Sequence, residues 1–378
     1  MKKVRLSFAI AIGCVFATMS VMGCKPKAEI GLKDAFADKF YFGTAMNTPQ
    51  ITGEDTAAVN VIKQHFNSIV AENIMKSEII QPVEGEFDFS LADQFVKFGT
   101  DNKMHIIGHT LIWHSQAPKW FFVDKQGNDV SAEVLTERMR NHIHTIVKRY
   151  KGRVHGWDVV NEAILDDGSW RKSKFYEILG EDFVKLAFQF AHEADPDAEL
   201  YYNDYSMAHE AKCQGVIAMV KNLQAQGIKV DGIGMQGHLT FDFPTVDAFE
   251  KSLVAFAETG VKVMITELDL SALPSPWANV GANISDAVAY EATMNPYVNG
   301  IPEDAYAKWE AHYMDFFNLF VKHSDKISRV TLWGVNDTQS WKNDFPVRGR
   351  TDYPLLFDRN YEPKPIVEAI YKMLQVQK

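Results

Sequence analysis

Cysteine is scarce, with three residues in a chain of 378, at positions 14, 24 and 213. Cys14 and Cys24 fall in an N-terminal leader considered below. Cys213 is then left without an intrachain partner, and a disulfide-stapled fold is excluded. No Cys and His residues stand together at metal-ligand spacing, so no metal centre is expected. His142 and His144, two apart in a helix-periodic stretch, point to different faces and read as surface or packing residues. A Gly-rich phosphate turn is also missing. The first strand-like run ends in Gly43-Thr44-Ala45-Met46-Asn47, which argues against an open doubly wound nucleotide-binding sheet. Low-complexity linkers and an appended carbohydrate-binding module are absent. Basic charge is in deficit, 39 Lys and Arg against 49 Asp and Glu. That balance disfavours nucleic acid as a partner and permits a neutral polysaccharide without arguing for one.

The only long apolar run is at the N-terminus. Met1-Lys2-Lys3-Val4-Arg5 is basic, Leu6 to Val21 is apolar and small, and Met22-Gly23-Cys24 follows. This is the layout of a cleaved export signal over residues 1–23, too short and wrongly flanked for a spanning helix. Val21-Met22-Gly23-Cys24 resembles a bacterial lipoprotein box, with Val where Leu is usual. The resemblance implies that Cys24 carries lipid, and residues 24–31 read as a tether from a membrane anchor. The expected product is an exported lipoprotein, periplasmic or at the cell surface. Removing the three basic residues of the leader leaves 36 against 49, a formal charge of −13.

From Phe40 onward strand-like runs alternate with helix-periodic stretches. The strand candidates are Phe40–Ala45, Ser68–Glu72, His105–Ile112, His155–Val160, Glu199–Asp204, Gly232–His238, Val261–Glu267 and Arg329–Val335. Between them lie amphipathic segments such as Ala132–Tyr150 and Phe175–Ala194. Eight strand–helix repeats predict an α/β fold, a single closed (β/α)8 TIM barrel over residues 32–378. Its functional face would lie at the C-terminal strand ends. A long connection from Ser271 to Ile301, rich in Pro, Ala and Asn, is a candidate wall for a cleft there.

Those strand ends carry residues that packing does not call for. They read Glu72-Asn73-Ile74-Met75-Lys76, then His109 through Trp113-His114-Ser115-Gln116, then Asn161-Glu162 and Asn203-Asp204-Tyr205. Gln236-Gly237-His238, Glu267-Leu268-Asp269 and Trp333 follow, with Trp341 eight residues on. Two of the carboxylates, Glu162 and Glu267, close two short hydrophobic strands. A carboxylate pair, one acid and one nucleophile, is the minimum equipment for cleaving a glycosidic bond.

The ordered set resembles glycoside hydrolase family 10, whose members are mainly retaining endo-β-1,4-xylanases on TIM barrels. His109-Thr110-Leu111-Ile112-Trp113-His114 and Trp157-Asp158-Val159-Val160-Asn161-Glu162 carry most of the resemblance, together with Leu355-Leu356-Phe357-Asp358. Ser77 stands where an aromatic is common and Ser206 where Asn is common, which bears on subsites and not on the reaction.

The resemblance implies that Glu162 is the general acid/base and Glu267 the nucleophile. His238 and Asp269 would support Glu267, and Asn161 would bind the 2-hydroxyl of the reacting sugar. Glu72, Asn73, Lys76 and His109 would bind glycone hydroxyls, and Trp113 would line the floor. Trp333 and Trp341 would offer flat faces, and Tyr205 and Gln236 complete the implied sugar-binding set. Gln116 and Trp341 would crowd carbon 5, where xylose carries only hydrogen. On charge grounds, Glu267 is expected to raise the pKa of Glu162. The implied partners are xylan and xylo-oligosaccharides, with no cofactor, and the protein is expected to be a monomer. A β-1,4-glucanase, an exo-acting xylosidase and a non-catalytic glycan-binding lipoprotein are the competing readings.

Overall fold

The computed structural model describes residues 30–275 and 294–376. The expected export signal, Cys24, most of the expected tether and the greater part of the connection after Ser271 lie outside the described residues. The chain divides after Ile30, and the barrel is the unit that begins at Gly31.

Among the described residues nine strands form, all paired in parallel: β1 Tyr41–Met46, β2 Ser68–Ala71, β3 His105–Trp113, β4 Gly156–Asn161, β5 Glu199–Asp204, β6 Gly232–Met235, β7 His238–Leu239, β8 Lys262–Leu270 and β9 Ile327–Leu332. The hydrogen-bonded order runs β6-β5-β4-β3-β2-β1-β9-β8, and a β6–β8 pairing closes it into an eight-stranded barrel. The two-residue β7 pairs with the end of β8, His238 opposite Asp269. The eight strands expected from the sequence are the eight of the barrel. The expected sixth strand, Gly232–His238, is interrupted at Gln236-Gly237, where Gly237 turns the chain at φ 80°. The expected helix over Phe175–Ala194 is two helices, Lys174–Leu179 and Asp182–Ala194. Gly180 breaks it at φ 61°, a conformation no helix residue adopts.

The helices pack as their periodicity requires. In Ala132–Tyr150 the buried residues are Leu135, Met139, His142, Ile143, Ile146, Val147 and Tyr150, one stripe against the barrel. Ser131 caps the helix by accepting a hydrogen bond from the Val134 N–H. Cys213 is buried in the helix Glu210–Ala225 as a packing residue. A separate small core of Ala45, Val70, Ile107, Tyr201, Met264 and Trp333 is contributed by β1, β2, β3, β5, β8 and the residue that follows β9.

Three strands that end in the implied site residues are irregular. Pairing slips by one residue in β3 between His109 and Ile112, and in β4 between Asp158 and Val160. It slips again in β8 between Ile265 and Leu268. A bulge breaks strict in/out alternation and re-aims side chains, and here the bulges sit beside Trp113, Glu162 and Glu267. Among the described residues no helix is long and apolar enough to cross a membrane.

Candidate active site

Glu162 follows the last residue of β4 with φ 61°, a left-handed backbone that costs a non-glycine residue about 1–2 kcal/mol. It is held there from both sides. Its N–H donates to the Asn203 carbonyl at 2.9 Å, and its carbonyl accepts from Arg171 Nε at 2.8 Å. The carboxyl is 7 % exposed and accepts three hydrogen bonds. Trp113 Nε1 donates to Oε2 at 2.8 Å, and Gln236 Nε2 and Asn161 Nδ2 donate to Oε1 at 3.0 and 3.2 Å.

Glu267, within β8, is 5 % exposed and accepts from two directions. Asn203 Nδ2 donates to Oε1 at 2.8 Å, and His238 Nε2 lies 3.2 Å from Oε2. The same Asn203 amide donates to Asn161 Oδ1 at 2.9 Å. A short amide chain, Asn203 to Asn161, therefore joins the two carboxylates. Thr266 Oγ1 donates to Asn203 Oδ1 at 2.6 Å and fixes which way the amide faces. Room for Asn203 comes from Gly234 on β6, where an added Cβ would stand 2.4 Å from Asn203 Oδ1.

Behind Glu267, His238 Nδ1 meets Asp269 Oδ1 at 3.0 Å. Asp269 also takes Lys342 Nζ at 2.9 Å and Trp341 Nε1 at 2.9 Å. Burial pulls the His238 pKa down, but the charge of Asp269 and the bonds to Asp269 and Glu267 outweigh it, raising it to about 9. The ring is an imidazolium at neutral pH and donates from both nitrogens. Burial raises Asp269, and the charges of His238 and Lys342 overcome that and hold it below the usual carboxylate range.

On another flank Lys76 Nζ donates to Asn73 Oδ1 at 2.8 Å and Gln116 Oε1 at 3.1 Å, and sits 4.9 Å from the Trp113 ring centre. Burial lowers the Lys76 pKa against the pull of Glu267, Glu72 and Glu162. Burial raises that of Glu72 against the pull of Lys76. His109 Nδ1 bonds Asp158 Oδ2 at 2.9 Å and presents its ring edge-on to Trp333 at 5.4 Å. Tyr205 is reached through Arg171, whose NH2 donates to the phenol oxygen at 2.7 Å. Each implied site residue thus stands at the C-terminal mouth.

The expected upward shift of Glu162 is not found. Burial raises its pKa, but the charges of His114 and Arg171 and the donors Gln236 and Trp113 together leave it lowered. Burial in turn pushes His114 down to about 4, so its pull on Glu162 fades above that pH. Glu267 is not what sets the net direction; His114, the donors Gln236 and Trp113, and Arg171 together do.

Asn203, Asp158, Arg171, Lys212 and Lys342 are working parts of the site that the sequence reading left out of its site set. Asn203 had a signal, its place directly before Asp204-Tyr205 at a strand end. Arg171 had none. The two family departures are also placed. Ser77 is 6 % exposed, bonding the Leu111 carbonyl and His142 Nε2, each at 3.2 Å. Ser206 holds φ 49°, a left-handed position where Asn is easier than Ser. Among the described residues no group of three His, Cys, Asp or Glu could hold a metal ion.

The family model described as glycosyl hydrolase family 10 matches residues 31–373. A curated relative, endo-1,4-beta-xylanase A of Xylanibacter ruminicola, is 52 % identical over 344 residues, covering 91 % of this chain and 93 % of that protein. The endo-1,4-beta-xylanase of Geobacillus stearothermophilus is 40 % identical over 340 residues, covering 88 % and 96 %. Among solved structures, a family 10 endoxylanase from a sugarcane soil metagenome superposes with TM-score 0.88 at 47 % identity, over 91 % of this chain and all of that one. Xylanase XynB of Paenibacillus barcinonensis gives 0.82 at 36 %, over 90 % and 98 %. A closed parallel barrel, two donor-laced glutamates at its mouth and a match that spans the whole barrel lead to one assignment: the chain belongs to glycosyl hydrolase family 10.

Proposed function

We propose that the protein is a retaining endo-β-1,4-xylanase that hydrolyses internal bonds of xylan by double displacement. The observation that carries the reading is the pair Glu162 and Glu267, buried, oriented and joined through Asn203 and Asn161 at the barrel mouth. The names of the relatives support an endo-xylanase over a glucanase or an exo-acting xylosidase. A glycan-binding role alone would not need both carboxylates or the imidazolium behind one of them.

In the first step Glu267 attacks the anomeric carbon, the glycosidic C–O bond breaks, and its electron pair leaves on the oxygen that Glu162 protonates. In the second, Glu162 takes a proton from water, the water oxygen attacks the anomeric carbon, and the ester to Glu267 breaks. The His238 imidazolium donates to Glu267 and keeps it aimed. At neutral pH the acid form of Glu162 is the minor one, because its donors favour the anion. A glycosidic oxygen that displaces the Trp113 or Gln236 donor removes part of that preference and raises the acid fraction.

Gln116 accepts a hydrogen bond from Lys76 and Trp341 donates one to Asp269, which holds each in its place. Rigid groups against carbon 5 exclude a hydroxymethyl substituent, a discrimination worth about 1–3 kcal/mol for one small group. We further propose, on the lipoprotein-like N-terminus, that Cys24 anchors the exported enzyme to a membrane.

The test is an aryl β-xylobioside with wild type and Glu162→Ala, with and without azide. Fast aglycone release by wild type, stalled deglycosylation in the variant and a β-xylobiosyl azide product are expected. Intact substrate with wild type would overturn the reading.

A further inference from the structure

Glu162 holds a left-handed backbone immediately before a hairpin, and that hairpin folds back on it. Ile164 and Trp170 form a bridge, Leu165 N–H donates to the Ser169 carbonyl at 2.8 Å, and Gly168 turns the tip at φ 82°. The return brings Arg171 alongside the residue nine positions before it. Its N–H donates to the Ala163 carbonyl at 2.8 Å, and its guanidinium then spans two oxygens. Nε donates to the Glu162 carbonyl at 2.8 Å and NH2 to the Tyr205 hydroxyl at 2.7 Å.

Both ends of this span are anchored. Tyr205 lies with its ring centre 3.7 Å from Lys212 Nζ, and that fully buried ammonium is pinned by Asp204 at 2.9 Å and Asp166 at 3.1 Å. The hairpin tip is pressed on the helix Glu210–Ala225. A Cβ on Gly168 would stand 2.5 Å from the Ala211 carbonyl oxygen, and one on Gly215 would stand 2.5 Å from the Gly168 carbonyl oxygen. Tyr202 adds a third hold, its hydroxyl accepting from the N–H groups of Ala163 and Ile164 at 2.9 and 3.1 Å.

We propose that Arg171 is a positioning residue for Glu162, aiming the acid/base carboxyl by tying its strained backbone carbonyl to the anchored Tyr205 hydroxyl. The proposal rests on the assignment of Glu162 as acid/base. A planar fork suits this task, since one rigid group fixes two acceptors whose separation sets the φ/ψ of Glu162. Glu267 has its own supports, Asn203 and His238, on other strands. Loss of Arg171 therefore disturbs the proton donor and leaves the nucleophile in place.

Leaving-group dependence separates these two parts of the machinery. Cleavage of a phenyl β-xylobioside needs a proton delivered to the departing oxygen, whereas 2,4-dinitrophenolate leaves without one. In Arg171→Gln, kcat/KM for the phenyl substrate is expected to fall by about tenfold to a hundredfold, the usual effect of misplacing a reacting group by an ångström. For the dinitrophenyl substrate it should stay within roughly threefold, because glycosylation no longer depends on the acid. Arg171→Lys keeps the charge but offers one donor group in place of a fork, and should show the same selective loss to a smaller degree. Should Arg171→Gln not fold, the lysine variant decides alone. Equal losses on both substrates, or full recovery by lysine, would overturn the inference while leaving the xylanase reading intact. A wild type inert on both substrates would overturn that reading and this inference with it.

Discussion

Asp269 is fully buried and takes hydrogen bonds from an imidazolium, an ammonium and an indole. Three elements meet on that one carboxylate: the end of β8, the two-residue β7, and the segment that carries Trp341 and Lys342. Replacing it with Asn removes the charge and takes from Lys342, with 8 % of its side chain exposed, the carboxylate 2.9 Å from its ammonium. Breaking a buried pair from one side costs about 3–5 kcal/mol, so Asp269→Asn should lower unfolding stability by that amount in a urea titration. The His238 pKa should move down from about 9 at the same time, which NMR titration of the ring would report. A loss under about 1 kcal/mol would mean the charge is solvated in a way the burial does not reflect. At this scale the sequence was readable where a polar residue closes a hydrophobic strand, as for Glu162, Glu267, His238 and Asp269. It was unreadable where the partner arrives through a hairpin, as for Arg171. The sign of the Glu162 shift was misjudged because the donors Trp113 and Gln236 come from other strands, and their aim is a property of the fold.

The helix Ala132–Tyr150 was legible to the residue, since its apolar stripe is a local feature. Its buried histidine was half legible. His142, expected at the surface or in packing, is fully buried with Nδ1 2.6 Å from Gln81 Oε1 and Nε2 3.2 Å from Ser77 Oγ. Burial drives its pKa to about 3. The unfolded chain binds a proton on this ring below about pH 6.5 and the folded protein does not until about pH 3. The contribution of His142 to stability is therefore complete above about pH 6.5 and is lost as pH falls. His142→Gln lacks that linkage. The gap in unfolding free energy between wild type and variant should shrink by up to about 1.4 kcal/mol per pH unit on acidification below 6.5. A gap that stays constant from pH 7 to pH 5 would contradict the buried neutral ring. The strand bulges beside Trp113, Glu162 and Glu267 had no local signature. A one-residue slip in parallel pairing depends on the neighbouring strand, and hydrophobic patterning does not reveal it.

Across the whole molecule the barrel was readable because eight strand–helix units leave few topologies, and the absence of a phosphate turn removes the open-sheet alternative. The split of the helix expected at Phe175–Ala194 shows the limit of periodicity, which runs through Gly180 as if no turn were there. The matched family supplies the reaction class, and the mouth of the barrel supplies two glutamates, each with its own donors and linked to one another through Asn203 and Asn161. Xylohexaose followed by proton NMR from the first minute tests this most directly. The account predicts products of several lengths that appear first as β-anomers and then mutarotate. Release of xylose alone from the outset, first appearance of α-anomers, or an uncut hexaose would contradict it.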